Sequence, residues 1–222
     1  MGYGVKVLVK GPAACFTRPE IKAERVSYDV MTPSAARGAL EAVYWKPAIR
    51  WQIDSIKVLN EIKFDTFRRN EIKHKASYGA MKNAWKGKDA PIDIDIGDTN
   101  NRTQRQTVYL RDVAYVIGAH FELTGKAGED DTVEKHYNIV LRRLRKGQCF
   151  NQPYLGCREF SASEVKLLEE GDTESFYAGT EMDLGWMLYD LDFERGMEPL
   201  FFRARMKDGI VDVASARKEL AR

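Results

Sequence analysis

No apolar run in this 222-residue chain approaches the length of a membrane span, and Met1 to Lys10 lacks the apolar core of a signal peptide. Both absences predict a cytoplasmic protein with no membrane partner. Cysteine is scarce: Cys15, Cys149 and Cys157 form no C-x-x-C pair, and an odd number cannot all pair with one another. Free thiols of a reducing compartment are the expectation. Histidine is equally scarce. His74, His120 and His136 are not helix-spaced and no cysteine pair joins them, so neither a structural zinc site nor any other metal or cofactor site is expected. There is no internal repeat and no low-complexity tract. What remains is an ordinary globular composition, 44% apolar and 31% charged, with enough chain for one large domain or two small ones.

The net charge of +2 conceals an asymmetry. Residues 1–158 carry 27 basic and 18 acidic side chains, residues 159–194 carry one and eleven, and residues 195–222 carry seven and four. A positive body joined to a negative segment suits a polyanion on one face and solvent or a basic partner on the other.

Along the chain, Val5 to Val9 reads as a buried strand ended by Gly11-Pro12. Thr32-Pro33 opens a helix that runs to about Trp45, with Pro47 as its stop. Residues 49–63 read as a strand. Residues 65–107 read as a long irregular region; between Lys63 and Lys88 eight Lys/Arg stand against Asp65 and Glu71, with Tyr78 and Trp85 interleaved. Basic residues with spaced aromatics suit single-stranded nucleic acid, where phosphates pair and bases stack. Val108 to Leu123 is a further strand, and a helix from about Thr132 to Lys146 has Val133, Tyr137, Val140, Leu141 and Leu144 as its apolar stripe, with Gly147 as its stop. Lys135, Arg142 and Lys146 fall on the opposite face, His136 and Arg143 along a flank. A short strand near Cys149 would complete a ferredoxin-like (RRM-like) βαββαβ domain over residues 1–150, giving an α+β fold. Beyond it, Arg158–Leu168, Asp183–Phe193 and Phe201–Met206 read as the strands of a small antiparallel β-rich extension, residues 151–222.

The chemistry concentrates in Tyr44-Trp45-Lys46-Pro47 and Glu134-Lys135-His136-Tyr137. Asp131 or Thr132 caps the second helix, which puts Lys135 and His136 at its first turn, where free N–H groups and the helix dipole favour an anion. A phenol, an ammonium and an imidazole can cleave RNA without a metal. The ribose 2′-hydroxyl is the nucleophile, so the protein need only move protons and offset charge on phosphorus.

Ala42-Val43-Tyr44-Trp45-Lys46-Pro47 and Glu134-Lys135-His136-Tyr137-Asn138 resemble signature stretches of one family. It is the CRISPR-associated precursor-crRNA endoribonuclease of the type I-C (Dvulg) system, in the RAMP superfamily. Arg102 to Arg105, Leu110 to Val113, Tyr154 to Phe160 and Asp183 to Met187 agree in order, so the resemblance spans most of the chain. It implies metal-free cleavage of the CRISPR repeat transcript, leaving 2′,3′-cyclic phosphate and 5′-hydroxyl ends. The product then stays bound beside the backbone and large subunits of the interference complex. The family's catalytic Tyr, Lys and His fall on Tyr44, Lys135 and His136. RNA contacts are expected at Lys46, Arg142, Arg143 and Lys146. Which of Tyr44 and His136 is the base stays open; a tyrosine base would need a cation nearby, with Lys135 as the candidate. The alternative is a non-catalytic subunit that binds the crRNA handle.

Overall fold

The computed structural model describes residues 3–88, 92–169 and 173–220. Its elements, in chain order, are β1 (Val5–Ala14), β2 (Arg25–Val26), α1 (Pro33–Val43), β3 (Ile49–Val58), β4 (Phe64–Ile72), α2 (Tyr78–Trp85), β5 (Arg102–Leu123), α3 (Val133–Lys146), β6 (Glu164–Leu167), β7 (Glu181–Asp192), β8 (Glu198–Lys207), β9 (Ile210–Asp212) and α4 (Val213–Leu220). One sheet runs β6-β1-β5-β3-β9-β8-β7, with β2 and β4 also paired to β5. The fold is thus mixed α and β, with a large, mainly antiparallel sheet.

The core is built by alternation. Val5, Val7 and Val9 of β1 share a buried face with Tyr115, Ile117, Ala119 and Phe121 of β5 and with Trp51 and Ile53 of β3. Leu40 and Val43 of α1 and Val140 and Leu144 of α3 join the same cluster.

Several boundaries depart from the sequence reading. β1 continues through Gly11-Pro12 to Ala14, with Leu155 so close to Gly11 that a Cβ there would lie 2.4 Å from its Cδ1. The strand expected near Cys149 is not there. Residues 164–167 take that place, pairing with β1 on the side away from β5. Because β6 joins β1 and β9 joins β3, one continuous sheet crosses the boundary drawn at residue 150.

The segment 65–107 is also more ordered than its composition suggests. β4 pairs with the outer half of β5 from Phe64↔Leu110 to Ile72↔Arg102, and α2 follows within the connection; residues 89–91 lie outside the described residues. From 64 to 106 no described residue is buried. This arm is a ladder of backbone hydrogen bonds without a core. It shares β5 with the main sheet, and the change of partner falls at Asp112, whose φ of 49° is left-handed. Aspartate tolerates that conformation better than most side chains. The Asn60 amide donates to the Asp112 carbonyl at 2.6 Å.

All three cysteines are free, Cys15 buried and Cys149 exposed. Among the described residues no helix is long and apolar enough to cross a membrane.

Candidate active site

Two helix ends meet at the site. Thr32 caps α1, its hydroxyl accepting from Ala35 N, with Pro33 in the first turn. The helix stops at Val43, two residues before the expected Trp45, and Tyr44 turns out of it with φ −153° and ψ 122°. Three carbonyls at this end find donors from outside the helix. Ala42 O accepts from Phe150 N and Asn151 N, Val43 O from Arg143 Nη1 at 2.6 Å, and Tyr44 O from Trp51 Nε1 at 2.9 Å. Released from the helix but held at both ends, Tyr44 points its ring toward α3.

α3 begins with Thr132 as its cap, the hydroxyl accepting from Lys135 N at 3.2 Å. Of the two caps the sequence allowed, threonine is the one used, which frees Asp131. Glu134 does not close a capping box; it accepts from Tyr3 Oη at 2.5 Å. Gly147 ends the helix in the left-handed conformation.

The phenol and imidazole expected to act together are in contact. Tyr44 Oη lies 2.7 Å from His136 Nδ1, and the two residues are only 2% and 1% exposed. Phe121 packs edge-on against the imidazole. On the other side of the ring, Asp131 Oδ1 comes within 3.2 Å of Nε2, but too obliquely for a hydrogen bond, so Nε2 is buried without an aligned partner. Lys135 is half exposed, with Nζ 3.0 Å from Asp130 O and 3.5 Å from Asp131 Oδ1. The three side chains therefore share one corner, the first two inside it and Lys135 on its rim.

Electrostatics corrects one expectation. Burial pushes the Tyr44 phenol above its ordinary value, the Arg143 guanidinium opposes that, and the Asp131 charge adds to it. The cation at the phenol is Arg143, 5.1 Å from the ring centroid, rather than Lys135. Tyr44 accordingly rests as a neutral phenol at pH 7. Asp131 is held below the usual carboxylate range, first by the Gly128 N–H and then by Lys135 and His136.

The four residues expected to touch RNA separate. Lys46, Arg142 and Lys146 are exposed, whereas Arg143 is half-buried against Val43 and Tyr44. Its position on the α3 flank was readable; its inward turn depends on the open Val43 carbonyl, which only the tertiary structure presents. The sequence offers Asp131 as a helix cap, whereas the structure sets it beside the imidazole. On the arm, Tyr78 and Trp85 are 75% and 90% exposed, seven residues apart on α2, with Lys82 between them. A cleft of about 910 Å³ lined by Lys6, Asp54, Tyr137 and Arg145 includes none of the three candidate catalytic residues. Among the described residues no group of three or more His, Cys, Asp or Glu is placed to hold a metal ion.

Comparison with known proteins gives concordant matches. A family model described as CRISPR-associated protein (Cas_Cas5), of the Cas5d type, matches residues 4–214. The chain is 48% identical over 217 residues to the CRISPR pre-crRNA endoribonuclease Cas5d of Mannheimia succiniciproducens, covering 96% of each chain. It is 38% identical over 232 residues to the protein of the same name from Thermus thermophilus, covering 96% of this chain and 92% of that one. Among solved structures, a CRISPR-associated protein superposes with a TM-score of 0.69 at 26% identity, over 95% of this chain and 91% of that one. A functionally uncharacterized protein from Streptococcus mutans shares the fold, with a TM-score of 0.67 at 23% identity and the same coverage.

Proposed function

That the chain belongs to the CRISPR-associated Cas5d family is the premise from which we propose its activity: it is an endoribonuclease that cuts precursor CRISPR RNA within the repeat. The observation that carries the catalytic assignment is the 2.7 Å contact between Tyr44 Oη and His136 Nδ1, with Lys135 on the rim of the same helix turn. The order β6-β1-β5-β3, antiparallel throughout, with α1 and α3 as the crossovers, supports reading this half as a ferredoxin-like (RRM-like) βαββαβ unit.

In this reading the reaction needs no metal. Tyr44 Oη takes the proton of the ribose 2′-hydroxyl as it passes its own to His136 Nδ1. The 2′-oxygen attacks phosphorus, the bond to the 5′-oxygen breaks, and the imidazole proton returns through Tyr44 to that departing oxygen. The products are a 2′,3′-cyclic phosphate and a 5′-hydroxyl. Lys135 and the free N–H groups of the first turn of α3 offset the charge that builds on phosphorus. Because both rings are buried, the phosphate meets them only after neighbouring side chains shift aside. Lys46, Arg142 and Lys146 hold the RNA backbone, and the basic, aromatic arm offers a surface for its single-stranded part. Mature crRNA then stays bound, with the backbone and large subunits of the type I-C interference complex as protein partners.

The burial of Tyr44 and His136 favours one other reading, a subunit that binds the crRNA handle without cutting, in which the pair is a core hydrogen bond. One experiment separates them. Repeat RNA is incubated with the protein in excess EDTA and its ends are mapped. Cyclic phosphate ends that disappear with a 2′-deoxy substrate, while binding persists, support the endoribonuclease. Intact RNA in both EDTA and magnesium supports the binding subunit, and 3′-hydroxyl ends or a magnesium requirement would refute the metal-free mechanism.

A further inference from the structure

Resting on that active-site reading, we infer that Asp131 is a positioning residue of the reaction: it holds the His136 imidazole with its proton on Nε2, leaving Nδ1 to take the proton of Tyr44. Asp131 is not spent on the helix cap, which is Thr132. Its carboxylate is anchored instead through Oδ2, which accepts from Gly128 N at 3.0 Å, and this aims Oδ1 at His136 Nε2, 3.2 Å away. A neutral imidazole carries one donor and one acceptor nitrogen, and a carboxylate can only accept. The tautomer with a lone pair on Nε2 would set that lone pair against the Asp131 charge in a buried place. The other tautomer turns Nε2–H toward the carboxylate and obliges Nδ1 to accept from the Tyr44 hydroxyl.

The groups facing the ring from each element are few. From α3 come Lys135, paired with Asp131, and Arg143, which lies over Tyr44; Glu134 is engaged by Tyr3. The end of α1 contributes Tyr44 and β5 contributes the uncharged Phe121. Asp131 is therefore the anion placed to offset the imidazolium that forms when the phenol yields its proton. The oblique approach of Oδ1 leaves it a small reorientation short of a full hydrogen bond to the protonated ring.

The test uses the full chain with Asp131→Asn, which keeps the size and an acceptor for Gly128 while removing the charge. Single-turnover cleavage of repeat RNA by Asp131→Asn should slow by at least about 10-fold and up to about 10⁴-fold, the range over which a lost orienting partner of a histidine is felt, with RNA affinity not weakened. Long-range ¹⁵N–¹H spectra of His136 in the wild-type protein should show a protonated Nε2 and an unprotonated Nδ1, and averaged signals in the variant. A wild-type proton on Nδ1 would overturn the assignment whatever the variant does, including a variant that fails to fold. Wild-type cleavage by Asp131→Asn beside inactive Tyr44→Phe and His136→Ala would overturn it too, leaving the active site standing. Full activity in Tyr44→Phe and His136→Ala would overturn the active-site reading itself, and with it this role.

Discussion

The corner where α1 meets α3 and the arm formed by β4, α2 and the outer half of β5 are opposite solutions to presenting polar chemistry. In the corner, a phenol, an imidazole and a guanidinium are packed among apolar side chains, and the carbonyls of Ala42, Val43 and Tyr44 each have a named donor. From 64 to 106 in the arm no described residue is buried, and two aromatic side chains stand in solvent among lysines. A buried polar group is costly unless its partners are fixed, so the corner is rigid and sensitive to single atoms. An exposed ladder is tolerant, so the arm can lose or gain side chains with little effect on folding. On the proposed function this is a division of labour: proton transfer where geometry is enforced, RNA contact where it is not.

The largest effects should come from the corner. Tyr44→Phe and His136→Ala should each slow single-turnover cleavage about 10²- to 10⁴-fold while changing RNA affinity little, and the double variant should be no slower than the worse single one. Normal cutting by Tyr44→Phe would make that hydroxyl a core hydrogen bond and dissolve the contrast.

Arg143→Ala and Arg142→Glu sharpen it within one helix. Loss of Arg143 leaves the Val43 carbonyl without its donor and should cost about 1–3 kcal/mol in chemical denaturation, together with slower cleavage. Arg142→Glu should leave stability unchanged and reduce the slope of log affinity against log salt by about one unit or more. Equal stability losses in both would show that the flank of α3 is not divided between inside and outside.

Excising the arm beyond its last ladder pair, by joining Ile72 to Arg102 through a two-residue turn, should shift the melting temperature by no more than about 2 °C, since none of the described residues it removes is buried. Affinity for single-stranded repeat RNA should fall several-fold. A collapse in stability would mean that the arm is integral to the core after all.

The smallest effect lies outside both regions and serves as their control. The Arg203 guanidinium on β8, with the Gly185 N–H, holds the exposed Asp183 carboxyl on β7 down to about 2. A depressed folded value means that its contribution is complete above the ordinary carboxylate value and fades as pH falls toward about 2. Asp183→Asn should therefore slightly lower stability at neutral pH and make the acid melting profile shallower between about pH 4 and pH 2, with cleavage unchanged.

Legibility followed locality. Pro33 behind Thr32, and Gly147 behind a stripe of Val140 and Leu144, are signals carried within one turn, and both helices lie where those signals place them to within two residues. The Tyr44–His136 contact is non-local, 92 residues apart, and was reachable only because the surrounding stretches resemble those of a known family. The strand of the arm is hidden in the sequence because Thr66, Arg68 and Asn70 alternate with Phe67, Arg69 and Glu71 at strand period without an apolar face to mark it. The strand β6 was displaced from its expected place because fifteen or so residues after Gly147 run as connection, bonded piecemeal to Ala42, Cys15 and Lys10. Asp131 and Arg143 could be seen as charges but not as neighbours of a buried ring, since their directions are set by groups on other elements.

The left-handed turn at Asp112 carries a consequence for how such an arm can be adjusted. Beyond it β5 keeps its ladder with β1 at Leu110 and Arg111 and with β2 at Thr107 and Val108, so the aim of the arm is set by this dihedral together with those two strands, and its length can change without altering that aim. Two residues added to each outer strand would carry the tip about 7 Å further and keep every side chain on its face. A β-branched residue at 112, which resists positive φ, would strain the junction where β5 changes partner from β3 to β4. On the proposed function, a surface built this way can be fitted to a repeat of different length by extension, with the corner where α1 meets α3 untouched.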